Sequence, residues 1–241
     1  MKQNTLCIIG ARKGSERLPG KNKLEVNGTP LFLNAVAAAQ KSGIFADIIF
    51  TTDDEDILTD SDILTKEILL HKRPISLADA DSTMWQVIDS LIVEYDDIFK
   101  KVDGFCILTP CHPFRSPVHI KEAYSIFTKT NADYLMSVSE MPCPHELSLV
   151  ISDNEIMTDH LKGPIRKGEY PQRYYPNGAV GFVKKEFYMN KNSLYDGKTV
   201  PYIMDWIAGL DIDYPKDYVM AKKLEGIISN DSGSCEYKKG V

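Results

Sequence analysis

The sequence predicts an α/β protein whose mostly parallel β-sheet carries helices on both faces. Through roughly the first 140 residues, short apolar runs that suit buried parallel strands alternate with segments of helical periodicity. Such alternation is the pattern of a parallel sheet covered on both sides. The chain has 241 residues, of which 43% are hydrophobic, so it can bury the core that this sheet needs.

The predicted elements follow one another in a regular order. The apolar run Leu6–Ile9 predicts a first buried strand, and residues 10–23 predict a loop. A helix over Pro30–Lys41 is expected to end at Gly43, because glycine commonly adopts the left-handed conformation after a helix. The later expected elements are a strand over Asp47–Thr52, a helix with apolar positions from Met84 to Tyr95, a strand over Phe105–Leu108, a helix that Ser116 caps before Pro117, strands over Tyr134–Val138 and Gly178–Val183, and a last helix from Pro215 with a stripe of Met220, Leu224, Ile227 and Ile228.

One domain is expected to span residues 1–228, followed by a polar tail, residues 229–241, that frays. Residues 141–176 break the regular alternation because they are rich in proline, glycine and charged residues, with a short strand near Leu147–Ile151. We interpret residues 141–176 as a small excursion from the domain.

The overall charge and the cysteines exclude several functions. The formal net charge is −6, so a general nucleic-acid-binding surface is not expected. The five cysteines form no C-x-x-C pair, which argues against a zinc site or a disulfide framework. Cys7 and Cys106 lie in apolar runs and are predicted to be core residues in a reducing compartment. No signal peptide or long apolar segment is apparent, so we expect a cytoplasmic protein without membrane contact.

The loop after the first strand, residues 10–23, is called the basic loop here. Its basic residues are Arg12, Lys13, Arg17, Lys21 and Lys23. Ligands of open α/β sheets bind beyond the carboxyl ends of strands, where this loop begins. Gly10 and Gly14 allow backbone N–H groups to approach an anion closely. The loop therefore predicts a phosphate site, although it matches neither G-x-G-x-x-G nor the P-loop, and charge and glycine alone leave a solvated loop as an alternative.

Two carboxylates near the end of the chain predict a metal site. Asp211 and Asp213 are two residues apart, and such a pair can share a hard cation. The alternative is that they cap the helix that begins at Pro215, since aspartate is common at helix starts. Asp53, at the end of the second predicted strand, is compatible with a second metal, a structural role or a surface position.

The segment from Ala11 to Asn22 reads Ala-Arg-x-Gly-Ser-x-Arg-x-Pro-x-Lys-Asn and closely resembles the acylneuraminate cytidylyltransferases, also called CMP-sialic acid synthetases. The likeness extends from residue 6 to about residue 225 and keeps the order of the motifs. The other matching pieces are Thr52-Asp53, Arg73-Pro74, Leu77-Ala78, Thr109-Pro110 with Pro113-Phe114-Arg115, Asn177-Gly178-Ala179 and Asp211-Ile212-Asp213.

This resemblance implies a Rossmann-like nucleotidyltransferase sheet and a magnesium-dependent reaction. CTP would activate an acidic 2-keto sugar, sialic acid or a related nonulosonic acid, to give the CMP-sugar and pyrophosphate. By the resemblance, the catalytic residues are Arg12, Lys21 and Asp211, and Asp211 and Asp213 hold Mg²⁺. The implied nucleotide-binding residues are Ala11, Arg12, Gly14, Ser15, Lys21, Asn22, Arg73, Ser82 and Thr83. The family also implies a homodimer formed through the excursion.

The departures from the family pattern concentrate on the presumed acceptor side. The implied substrate-binding residues are Thr109, Arg166, Lys167 and Asn177. Thr109 stands where the family usually has glutamine, and His112 where it usually has serine. Arg166 and Lys167 keep positive charge that suits a substrate carboxylate. These departures are compatible with an acceptor other than sialic acid, either a different acidic nine-carbon sugar or another acceptor altogether.

Three other functions are open alternatives. The chain could be a related nucleotidyltransferase that uses GTP with an aminosugar phosphate or CTP with a phosphonate. It could be a glycosyltransferase, because Asp211-x-Asp213 is a D-x-D motif, and release of nucleoside diphosphate instead of pyrophosphate would show this. It could also be a non-catalytic nucleotide-binding protein, which would bind without turnover.

Overall fold

The computed structural model describes residues 4–143, 150–152, 155–157, 171–190, 193 and 195–228. Its strands are β1 Thr5–Ala11, β2 Glu25–Val26, β3 Thr29–Pro30, β4 Asp47–Thr52, β5 Leu69–Lys72, β6 Gly104–Leu108, β7 Tyr134–Glu140, β8 Val150–Ser152, β9 Glu155–Met157, β10 Tyr174–Lys184 and β11 Thr199–Met204. Its helices are α1 Leu31–Ser42, α2 Glu55–Leu58, α3 Ser61–Leu64, α4 Met84–Glu94, α5 Asp96–Phe99, α6 Pro117–Thr130, α7 Lys185–Met189 and α8 Pro215–Ile228. Within these residues, no helix is long and apolar enough to cross a membrane.

Seven strands form one sheet in the order β11-β7-β10-β6-β1-β4-β5. β1 is parallel to β4 on one side and to β6 on the other, and β11 is parallel to β7. β10 lies antiparallel between β6 and β7. The chain moves outward from β1 to β4 and β5 and then returns to β6 on the other side of β1. Ligands of α/β sheets bind at such a reversal of strand order, beyond the carboxyl ends of the strands.

Both faces of the sheet are covered by helices, which confirms the predicted fold class. The alternation of side chains along β1 sends Cys7 and Ile9 to one face, where α1 and α6 pack. Leu6 and Ile8 point to the opposite face, against α4. Cys7 and Cys106 are fully buried in the first of these layers, as predicted.

The predicted elements are present, with two corrections at their limits. Gly43 ends α1 in the left-handed conformation, at φ 64°, and Ser116 caps α6 as expected. The predicted strand over residues 178–183 is part of the longer β10, which begins inside the segment assigned to the excursion. The placement of Met220 on a buried stripe is wrong, because 45% of Met220 is exposed.

The stripe of α8 that is buried contains Ala221 and Leu224 instead. These positions, three residues apart, lie on one face of the helix, whereas Met220 faces solvent. Other predictions lie outside the described residues: the side chains of Ile227 and Ile228, residues 144–149, 153–154 and 158–170 of the excursion, and the tail 229–241. The division into a single domain and a tail stays a prediction.

Candidate nucleotide site

The candidate site lies at the edge of the sheet where the parallel strands end. The basic loop leaves β1 at this edge, Asp53 follows β4, and residues 109–116 follow β6. Residues 205–213 follow β11 and approach the same place, because Ile212 N donates to Cys111 O at 2.9 Å. The topology thus brings four segments that are distant in sequence to one edge.

Contacts from neighbouring segments hold the basic loop in place. Lys13 N donates to Asp53 Oδ1 at 2.7 Å, and Asn22 Nδ2 donates to Arg12 O at 2.9 Å. Asn22 is buried, so its amide supports the loop backbone. The contact with Lys13 gives Asp53 a structural role in the loop, and its role toward a second metal stays a prediction. The loop encloses a concavity of about 400 Å³, lined by Lys13, Gly14, Ser15, Glu16, Pro19, Gly20, Lys23 and Asp54.

The basic loop and the late aspartates meet directly. Lys21 Nζ lies 2.9 Å from Asp213 Oδ1, and Arg17 Nη2 lies 2.6 Å from Asp213 Oδ2. Arg17 also stacks 5.0 Å above the centre of the Tyr214 ring. Burial raises the pKa of Asp213, but the hydrogen bond and charge of Lys21, with the charge of Arg17, lower it overall. Asp213 is therefore an ionised carboxylate held between two cations.

Helix capping does not explain Asp211 and Asp213, because Asp217 does the capping. Asp217 Oδ2 accepts from Asp213 N at 3.1 Å and from Tyr214 N at 2.7 Å, at the start of α8. A carboxylate in the first helical turn commonly satisfies these otherwise unpaired N–H groups. The side chains of Asp211 and Asp213 are therefore not used to cap α8, which leaves the predicted metal site as the other interpretation of this pair.

Asp211 lies beside Cys111 at the end of β6. Burial raises the pKa of Asp211, against the hydrogen bond from Cys111 and the charge of Lys21. Cys111, His112 and Asp211 each offer a donor atom, and these atoms lie within 4.8 Å of one another. Burial raises the pKa of the Cys111 thiol to about 12, so the thiol stays protonated. Oxygen from Asp211 and Asp213 is the donor type that magnesium prefers, and this pair fits it.

A buried hydrogen-bond network stands at the presumed acceptor side. His112 Nε2 lies 2.7 Å from Asn177 O and His112 Nδ1 lies 2.9 Å from Thr109 Oγ1. A carbonyl can only accept, so His112 carries its proton on Nε2 and Thr109 donates to Nδ1. Burial, with the charge of Arg115, lowers the pKa of His112 to about 3. The imidazole is therefore neutral and fixed in one tautomer.

The side chain of Asn177 supports this network from behind. Asn177 Oδ1 accepts from Ser137 Oγ at 2.5 Å and from Ala179 N at 3.1 Å, and Nδ2 donates to Ser139 Oγ at 2.9 Å. Only 5% of Asn177 is exposed. Its amide is thus engaged within the protein, and the predicted contact with substrate stays a prediction. Arg166 and Lys167, also predicted to bind substrate, lie outside the described residues.

Arg73 and Arg12, both predicted to bind nucleotide, lie at the neighbouring part of the edge. Arg73 is buried, and its Nη2 donates to Thr51 O at 3.2 Å. A Cβ on Gly10 would lie 3.1 Å from Arg73 Nη2, so the guanidinium packs directly over this glycine. Arg12 Nη1 donates to Asp79 O at 2.9 Å and closes the segment before α4 against the basic loop.

Ser82 and Thr83 have local structural partners at the start of α4. Thr83 Oγ1 accepts from Gln86 N at 3.3 Å in a capping box, and Ser82 Oγ donates to Ser76 O at 3.4 Å. Their predicted contacts with nucleotide stay predictions. Ala11 is buried at the end of β1, Gly14 is exposed in the basic loop, and Ser15 beside it is half-buried.

Sequence reasoning missed several residues that build the site. Arg115 is buried and its Nη1 donates to Thr109 O at 2.8 Å and to Ala179 O at 2.9 Å, which ties β6 to β10. Gly209 allows the turn before Asp211 to approach the network, since a Cβ there would lie 2.5 Å from Ser139 Oγ. The sequence signal for Arg115 was its charge, which follows the apolar residues Pro113 and Phe114.

The glycine-bearing basic loop at the reversal of strand order, facing paired aspartates, defines an α/β protein of the nucleotidyltransferase type. Comparison with known families places it further: the model of the family described as cytidylyltransferase matches residues 6–225. The chain belongs to this cytidylyltransferase family, which confirms the family resemblance seen in the sequence.

Individual relatives act on different sugars, according to their names. The chain is 32% identical over 219 residues to N-acylneuraminate cytidylyltransferase of Streptococcus agalactiae serotype V, covering 89% of this chain and 51% of the relative. It is 25% identical over 228 residues to pseudaminic acid cytidylyltransferase of Campylobacter jejuni, covering 91% and 95%. It is 28% identical over 223 residues to CMP-N,N'-diacetyllegionaminic acid synthase of Legionella pneumophila, covering 91% and 95%. The chain spans about half the length of the first of these relatives.

Two solved structures share the fold. A CMP:2-keto-3-deoxy-manno-octonic acid synthetase complexed with CTP superposes with a TM-score of 0.66 at 14% identity, covering 94% of this chain and 99% of the other. A 4-diphosphocytidyl-2C-methyl-D-erythritol synthase from Anaerococcus prevotii gives a TM-score of 0.59 at 16% identity, covering 91% and 97%. At these identities the likeness concerns the fold alone.

Proposed function

We propose that the protein is a cytidylyltransferase that joins the CMP part of CTP to an acidic 2-keto sugar of the nonulosonic acid class and releases pyrophosphate. The observation that carries this proposal is the meeting of Lys21 and Arg17 with Asp213 at the reversal of strand order. Cations that can hold a polyphosphate and carboxylates that can hold a divalent metal are there within contact distance. Family membership and the names of the relatives support the nucleotide and the acceptor class.

In this mechanism the chain acts mainly by positioning and by stabilising charge, as phosphoryl and nucleotidyl transfer requires. Arg12 and Lys21 would neutralise the phosphates, while Gly14 and Ser15 offer backbone and hydroxyl donors. Asp211 and Asp213 would hold Mg²⁺, which supplies charge stabilisation on the phosphate oxygens when bound.

In this mechanism Asp213 would exchange its ion pairs with Lys21 and Arg17 for contact with the metal. Lys21 and Arg17 would move their charges to the phosphates, and the carboxylate of Asp213 would then be available to the metal. The sugar hydroxyl oxygen attacks the α-phosphorus and its proton passes to solvent, the bond to the pyrophosphate oxygen breaks, and pyrophosphate leaves. Burial raises the pKa of Asp211, and a bound cation would act in the opposite direction by favouring the charged carboxylate.

The acceptor is proposed only as a chemical class. Thr109 and Asn177 are the described members of the predicted acceptor set, and Arg166 and Lys167 would meet the sugar carboxylate. The named relatives use three different nonulosonic acids, so the departures at Thr109 and His112 do not select one of them. Homodimerisation through the excursion and a cytoplasmic location stay predictions.

Pyrophosphate release with CTP or GTP, against a panel of 2-keto acid sugars, tests the proposal. Lys21→Ala and Asp211→Ala should each lower turnover at least about 100-fold, the usual effect of removing one charge-stabilising group. Lys41→Ala, an exposed lysine on α1, is the matched control and should keep the parent rate. Parent activity in the Lys21 or Asp211 variant would overturn the site assignment.

The products separate the alternatives in the same assay. Nucleoside diphosphate in place of pyrophosphate would indicate a glycosyltransferase. Turnover with GTP or with a phosphonate acceptor would indicate a related nucleotidyltransferase. CTP binding without any turnover over the whole panel would indicate a non-catalytic protein, and a ligand at 100 times its dissociation constant stabilises the fold by about 2.7 kcal/mol, which thermal unfolding detects.

A further inference from the structure

A row of register partners crosses three neighbouring strands beside Arg73 and carries polar side chains on two of them. Gly10 of β1 is the register partner of Thr51 in β4, and Thr51 is the register partner of His71 in β5. Side chains of directly opposite residues in a sheet share a face. Arg73 lies two residues beyond His71 and continues the ladder, since Arg73 N donates to Thr52 O at 2.8 Å.

These side chains are connected to one another on the α4 face of the sheet. His71 Nδ1 lies 2.8 Å from Thr51 Oγ1, and Arg73 Nε donates to Thr51 Oγ1 at 3.5 Å. Arg73 Nη2 donates to Thr51 O at 3.2 Å. At the other end, His71 Nε2 lies 3.2 Å from Glu94 Oε2 but without the geometry of a hydrogen bond. Thr51 and His71 are 0% and 2% exposed, so water does not compete for these contacts.

The donor and acceptor roles of Arg73, Thr51 and His71 order these hydrogen bonds in one direction. A guanidinium can only donate, so Thr51 Oγ1 accepts from Arg73. The hydroxyl proton of Thr51 then goes to His71 Nδ1, which requires the proton of a neutral His71 on Nε2, facing Glu94. Burial lowers the pKa of His71, with the charge of Arg73 acting in the same direction and Glu94 against it, so the neutral form matches this arrangement.

We propose that Thr51 and His71 are positioning residues that hold the Arg73 guanidinium over Gly10 and thereby set the affinity for the nucleotide. They touch neither substrate nor the reacting phosphate; they act through Arg73. The inference rests on the proposed function, because it takes Arg73 to contact CTP. Three features support it: the shared row, the contacts that join Thr51 to His71 and to Arg73, and the close packing of the guanidinium on Gly10, which has no side chain.

The alternative is that Thr51 and His71 only stabilise the sheet. A purely structural role would leave nucleotide affinity unchanged in a folded variant. A positioning role predicts that the dissociation constant and the KM for CTP rise together while kcat and the KM for the acceptor sugar stay unchanged. The split between KM and kcat therefore separates the two roles.

The test uses Thr51→Val, which removes the hydroxyl and preserves size and strand preference. The dissociation constant for CTP, measured by calorimetry, and the KM for CTP should rise about tenfold, as expected when a hydrogen bond to a charged group is lost. Thr51→Ser restores the hydroxyl and should recover affinity to within about threefold of the parent. Ser42→Ala is the matched control, because Ser42 is a buried hydroxyl of α1 that donates to Ala39 O at 2.6 Å.

The outcomes are distinguishable. A rise in the dissociation constant in Thr51→Val, reversed in Thr51→Ser and absent in Ser42→Ala, supports the inference. Unchanged affinity in a Thr51→Val protein with a parent-like urea midpoint overturns it, as does an equal loss in Ser42→Ala or a fall in kcat alone. If the parent neither binds CTP nor releases pyrophosphate, the proposed function fails and the inference with it.

Discussion

Replacing His112 by glutamine should remove part of the acid sensitivity of the fold. His112 is 3% exposed, and both of its ring nitrogens are engaged, with Thr109 and with the carbonyl of Asn177. Burial lowers its pKa to about 3 from an ordinary value of 6.5. The folded chain therefore keeps this imidazole neutral in a range where the unfolded chain protonates it.

The size of the effect follows from these two pKa values. As the pH falls below 6.5, the unfolded state gains a proton that the folded state does not, so stability is lost progressively until the pH approaches 3. For these values, linkage gives a loss of about 2 kcal/mol in the free energy of unfolding between pH 7 and pH 5. Glutamine does not titrate in this range, so the variant should lack this loss.

Urea unfolding of the parent and His112→Gln at pH 7 and pH 5 measures the difference. The parent should lose about 2 kcal/mol more than the variant over this interval, whatever the variant's stability at pH 7. Thr109→Val is the control, since it removes a hydroxyl from the same network without removing a titrating group and should keep the parent's pH dependence. Equal losses in the parent and His112→Gln would refute the reasoning, because His112 would then titrate alike in both states.

Three other substitutions probe the packing and the basic loop. Gly209→Ala should lower the free energy of unfolding by about 1–3 kcal/mol, because a Cβ would lie 2.5 Å from Ser139 Oγ; a parent-like urea midpoint would contradict this. Ser116→Ala should cost about 1 kcal/mol of stability through loss of the α6 cap, and calorimetric unfolding with no such decrease would count against it. Gly14→Ala should leave the urea midpoint unchanged, since an added Cβ would meet only Ala78 O, at an ordinary contact distance of 3.8 Å. It should weaken the thermal stabilisation by CTP, and full stabilisation would argue against phosphate contact at Gly14.

The central strands β1, β4 and β6 could be predicted because each contains a short apolar run. The edge strands were missed for a physical reason. β11 carries Pro201 and alternates buried Tyr202 and Met204 with exposed Ile203, and proline is tolerated at an edge strand, where fewer backbone N–H groups are needed. β5 has four residues, Leu69–Lys72, so its pattern is too short to distinguish it from a loop.

The charged side chains of the site could be predicted from the sequence. The residues that position them through capping and hydrogen bonds could not. Lys21 and Asp213 stand out by charge beside glycine and proline, which local sequence reveals. The direction from which the chain enters α8 determines which aspartate caps this helix. In the folded chain Asp217 accepts from the N–H groups of Asp213 and Tyr214. The contact between Ser137 and Asn177 joins residues 40 positions apart, and only the folded sheet determines such a pairing.

The reversed direction of β10 keeps the segment between residues 141 and 173 separate from the parallel strands that carry the basic loop. Because β10 runs against its neighbours, it begins at the edge where β7 ends: Tyr174 pairs with Glu140, and Met141 N donates to Arg173 O at 2.8 Å. The chain between residues 141 and 173 thus departs and returns at a single closed stem. Lengthening a segment whose ends are already joined adds little further closure entropy. Under the proposed function, in which Arg166 and Lys167 of this segment meet the sugar carboxylate, sequence change there would alter the acceptor contacts while the parallel strands that carry the basic loop remain as they are.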